Sequence, residues 1–64
     1  MPYRIVYYRS GREVGSSSHP GFLHDAQVLA KDYVRYFDAE CYRIFDLRNA
    51  GSAVASGKRD DGAA

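Results

Sequence analysis

Tryptophan is missing from this chain, cysteine and methionine occur once each, and proline occurs twice in 64 residues. A single thiol, Cys41, permits no intramolecular bridge, so the fold must hold without a disulfide and suits a reducing compartment. No stretch approaches the ~18 consecutive apolar residues of a membrane span. No apolar segment follows a basic start in the manner of a secretory signal. Together these absences lead us to expect a cytoplasmic chain with no membrane segment. An excess of one charge sign is lacking as well. The formal charge is +1 and the isoelectric point is 7.9, below the value of about 9 that marks strongly basic nucleic-acid-binding domains. Ser10-Gly11 and Pro20-Gly21 are isolated turn dipeptides, and neither common spacing of a glycine-rich phosphate loop is present.

Length sets a further limit. The 45% hydrophobic and 27% charged content is that of an ordinary globular chain. A chain this short buries only about 60% of its unfolded surface. A core of that size supplies no more than about 3 to 5 kcal/mol without help. With disulfides excluded, oligomerisation is the simplest stabiliser.

The aromatic and β-branched run Tyr3-Arg4-Ile5-Val6-Tyr7-Tyr8 predicts a strand. Ser10-Gly11 then predicts a tight hairpin into a short, weak strand from Arg12 to Ser16, with Gly15 marking a sheet edge or bulge. The serines at 16–18 and His19-Pro20-Gly21 read as a loop, with the serines available to cap the next helix. Phe22, Ala26, Leu29, Ala30, Tyr33 and Phe37 recur at three- and four-residue steps, with Leu23 and Val34 on one flank, and predict an amphipathic helix ending by Phe37 or Asp38. Cys41 to Leu47 is a third strand pattern, and Asn49-Ala50-Gly51 a turn before a last strand at Ala53-Val54-Ala55. Residues 57–64 contain no large apolar side chain. We therefore expect a single domain over residues 1–56 and a disordered tail over 57–64 that is dispensable for folding.

The order is ββαββ, a small α+β domain in which one helix packs on one face of an antiparallel sheet. Strand alternation places Tyr3, Ile5, Tyr7, Tyr42 and Ile44 beneath the helix. The opposite face would carry Arg4, Val6, Tyr8, Arg43, Phe45 and Leu47, more apolar and aromatic than a solvated sheet surface requires. The outline resembles that of many small bacterial proteins, a likeness of architecture that carries no functional residues across.

Chemistry-bearing residues are sparse. His19 and His24 are five apart across a Pro-Gly loop, and Cys41 has no second cysteine to complete a structural zinc set. We read them as two surface histidines and a small half-buried thiol. Asp38 and Glu40 fall at a helix end, where solvation is the simplest account. No cofactor, metal, small-molecule substrate or catalytic residue is expected, because so short a chain hardly encloses a pocket.

Charge is unevenly spread: Arg4, Arg9 and Arg12 against Glu13 leave +2 over residues 1–14, whereas residues 22–40 sum to −2. Arginine and tyrosine are enriched at protein interfaces, and Val6, Phe45 and Leu47 would supply an apolar centre. The expected role is therefore a protein-interaction or self-association module, a homodimer or a complex with a protein partner, acting through this sheet face or an edge strand. The alternative is an accessory module for single-stranded nucleic acid, in which the tyrosines stack on bases and the arginines meet phosphates.

Overall fold

The computed structural model describes residues 3–48 and 51–59. The elements are β1 (Tyr3–Arg9), β2 (Arg12–His19), α1 (Leu23–Tyr36), β3 (Cys41–Asp46) and β4 (Ser52–Lys58). They form the expected ββαββ domain, one antiparallel four-stranded sheet in the order β2-β1-β3-β4. The helix carries the chain from the β2 edge to β3, so the two most apolar strands, β1 and β3, become central neighbours.

The first hairpin turns on Ser10 and Gly11, both with positive φ (52° and 77°), the pair of values a two-residue primed turn requires. Ser10 tolerates this because its N–H donates to Glu40 Oε1 at 3.1 Å. β2 runs three residues beyond the expected Ser16. The long partner β1 extends the ladder to the pair Tyr3↔His19, and the pairing outweighs the weak strand propensity of serine. The serines therefore do not cap α1. Ser17 instead shares a 2.9 Å hydrogen bond with the Tyr7 hydroxyl, and Phe22 stands at the N-cap with no side-chain hydrogen bond to the helix.

The core lies where strand alternation placed it. Tyr3, Ile5, Tyr7, Tyr42 and Ile44 are buried beneath α1. The buried stripe of the helix is turned from the expected one, toward Ala26, Ala30 and Val34, with Leu23, Leu29 and Phe37 half-buried. Small side chains at 26 and 30 let the helix come close to large sheet residues, and the rings at the edge of the stripe swing outward. Tyr33 is thus left 39% exposed, and Phe22, in extended conformation at the N-cap, is 79% exposed. Glycines serve the same packing from the sheet side. The Phe37 ring lies against the Cα of Gly15, and Tyr42 lies over Gly57, where an added Cβ would sit 2.5 Å from the phenol oxygen.

The helix ends in a Schellman turn. Asp38 takes positive φ (55°), its N–H donates to the Arg35 carbonyl, and the Ala39 N–H reaches the Val34 carbonyl at 2.8 Å. Asp38 and Glu40 are tied into the structure. Asp38 accepts from Arg9 at 2.6 Å and from Arg59 at 3.1 Å, and Glu40 joins β1 to the end of β4 through its own N–H to the Tyr8 carbonyl and its carbonyl to the Arg59 N–H. The boundary expected at residue 56 falls inside β4, because Gly57 and Lys58 pair with Tyr42 and Cys41. Residues 60–64 of the expected tail, with Asn49 and Ala50 of the second turn, lie outside the described residues.

Three outcomes follow from this packing. Ile44→Ala should lose about 2–5 kcal/mol in urea melts, and more than Leu29→Ala, whose side chain is only half-buried. Ending the chain after Ser56 removes the Gly57 seat of Tyr42 and the Arg59 ion pair, and a thermal melt should fall by about 5 °C or more. Burial raises the Tyr7 phenol above its ordinary value of 10.0, partly offset by the Ser17 hydrogen bond. The stability this group contributes is complete below about pH 10 and is lost as pH rises through the folded value. Tyr7→Phe should therefore show a smaller alkaline loss of stability, at the cost of about 1 kcal/mol near neutrality; equal alkaline losses in the two proteins would refute this.

Candidate interaction face

With α1 on one side, no element of the described residues lies on the other side of the sheet. Register places its residues in three rows running β2-β1-β3-β4. The first row is Glu13, Tyr8, Cys41 and Lys58; the second is Ser16, Val6, Arg43 and Ser56. The third is Ser18, Arg4, Phe45 and Ala53. Each edge strand carries one bulge, at Val14 and at Val54, where a residue has no opposite number and the alternation shifts by one.

Five of the six residues assigned from the sequence, Arg4, Val6, Tyr8, Arg43 and Phe45, come together on this face. Leu47 does not join them as a strand residue. β3 ends at Asp46, whose side chain accepts the Arg48 N–H at 2.9 Å and turns the chain away, leaving Leu47 in the turn and 47% exposed. Cys41 of β3 and, on the edge strands, Glu13, Ser16, Ser18, Ala53, Ser56 and Lys58 complete the face. The edge-strand residues were hidden because the bulges at Val14 and Val54 break the alternation by which faces are read from sequence.

The face mixes apolar and cationic groups. Val6, between Ser16 of β2 and Arg43 of β3, is only 5% exposed. Tyr8, Cys41 and Phe45 are half-buried. The Arg43 guanidinium lies over the Tyr8 ring at 5.6 Å, and Arg4 is 4.0 Å from Glu13. A shallow hollow of about 230 Å³ opens between Tyr8, Gly11, Glu40, Cys41 and Arg43, and two larger, more open ones border Arg43 and β4.

The metal and nucleophile candidates are scattered. His19 stands opposite Tyr3 on the helix side of β2, His24 in the first turn of α1 and Cys41 on the outer face. Among the described residues no three of the His, Cys, Asp and Glu side chains are grouped as a metal site would need, and no helix is long and apolar enough to cross a membrane. Compared with protein-family models, curated proteins and solved structures, the chain matches none.

Proposed function

We propose that this protein is a small cytoplasmic association module that works by contact and not by catalysis, and that its outer sheet face meets a second copy of the chain. The observation that carries this reading is the division of labour in the sheet. One helix serves four strands, so among the described residues no element covers the face that carries Val6, Tyr8, Cys41 and Phe45. Apolar side chains on the two central strands, interspersed with Arg4 and Arg43 and flanked by Lys58 and serines on the edge strands, suit a protein contact, in which arginine and aromatic residues are enriched and the rim is polar. A homodimer satisfies the need of so small a core for further burial. The single free thiol is compatible with a reducing compartment.

The nucleic-acid reading has three outer-face cations in its favour, Arg4, Arg43 and Lys58 against Glu13. It is the weaker of the two because Tyr8, its best stacking ring, is occupied by its own Arg43. Dependence on salt separates them: phosphate contacts weaken steeply as salt rises, a contact with an apolar centre far less.

Sedimentation equilibrium from micromolar to millimolar protein should show a monomer–dimer transition. Phe45→Asp, which sets a charge among the apolar groups of the contact, should abolish it while circular dichroism still reports a folded monomer. A parent that stays monomeric at millimolar concentration overturns the reading.

A further inference from the structure

The three rows of the outer face specify how two copies would meet, an inference that rests on the self-association proposed above. Two sheets packed face to face lie about 10 Å apart with strands within about 30° of alignment. A two-fold axis between them can then run along the strands or across them. An axis across the strands sets each strand on its own copy. Centred on the middle row, it places Arg43 against Arg43 and Tyr8 against Arg4. That axis also sets Glu13 on Ser18 and Lys58 on Ala53, so neither charge meets an opposite one across the contact.

An axis along the strands reverses each row, so β2 lies over β4 of the second copy and β1 over β3. Every row then meets a complementary one. Glu13 and Lys58 stand at opposite ends of the same row, so reversal brings the Glu13 carboxylate of each copy to the Lys58 ammonium of the other, twice per dimer. In the middle row Val6 meets the aliphatic stem of Arg43, and Ser16 meets Ser56. In the third row the aliphatic stem of Arg4 meets the ring of Phe45, while Ser18 meets Ala53. Glu13 and Lys58 are both exposed in the single chain, and together their side chains span the gap between sheets.

We propose that two copies of this chain associate about a two-fold axis parallel to the strands, with Glu13 of each copy paired to Lys58 of the other. The pairing makes the dimer readable by charge exchange. E13K sets two lysines against each other at both ends of the contact, and K58E does the same with two glutamates, so each variant alone should dimerise about tenfold more weakly than the parent at low salt. Mixed in equal amounts, the two variants should form a heterodimer with both pairs restored, and E13K/K58E in one chain should regain the parent's affinity.

Sedimentation and native mass spectrometry of the parent, the two single variants, their mixture and the double variant read all of this. Circular dichroism confirms that each exposed substitution leaves the fold intact. A parent that dimerises while neither the mixture nor the double variant recovers affinity overturns the axis but leaves the sheet face as the contact. A parent that is monomeric at millimolar concentration overturns both.

Discussion

The close approach of α1 to β1 and β3 is the constraint on which the rest of this small structure depends. Ala26 and Ala30 bring no side chain beyond Cβ, so the helix settles directly on Ile5, Tyr7, Tyr42 and Ile44 and excludes water from all four. A helix held over the two central strands cannot shelter the edges. The edge strands meet this with small inner residues where the rings lie, Phe37 on Gly15 and Tyr42 on Gly57, and with the Tyr7 hydroxyl bonded to Ser17. Large inner residues on β2 or β4 would lift these rings and the helix with them. Weak strand propensity at the edges is thus the counterpart of strong packing at the centre.

That balance explains what could be read from the sequence and what could not. The element order and the five sheet residues of the core were legible, because Tyr3, Ile5, Tyr7, Tyr42 and Ile44 alternate in runs where aromatic and β-branched propensity agrees with burial. The helix stripe was legible to within a fraction of a turn. It failed at Tyr33 and Phe22 because periodicity weighs a large ring above alanine, whereas the close approach to the sheet favours the smaller residue. β2 and β4 were under-read at their ends: Ser17, Ser18, Gly57 and Lys58 are strand residues only because a partner strand pairs with them. Leu47 was misplaced for a local reason, the Asp46 turn, and the bulges at Val14 and Val54 concealed half of the outer face.

The polar residues at the end of the helix act on that face from a distance. Exposed ion pairs such as those of Asp38 with Arg9 and Arg59 contribute little each to stability. Their effect is geometric. The Schellman turn at Asp38 and the two backbone bonds of Glu40 fix the residue at which β3 begins. That start sets the register of β3 against β1 and of β4 against β3. A slip of one residue would exchange the faces of β3 and send Tyr42 and Ile44 outward, so the alignment of Glu13, Tyr8, Cys41 and Lys58 in one row is held by groups that are not themselves on the outer face.

Association through the face is also better suited to this sheet than association through its edges. An open edge adds a strand readily when it is long and flat, and both edges here are interrupted at their third residue by bulges that break regular pairing and increase local twist. Val14 and Val54, the residues without opposite numbers, stand exposed at the interruptions. Lys58 adds a charge near the end of β4, a common guard against strand addition. The outer face has no such guards across its two central strands. Its apolar groups are separated by arginines that keep the single chain hydrated and offer a stem or a guanidinium plane to an opposing surface. A face built this way is stable in water alone and loses little when covered, the combination that a reversible contact requires.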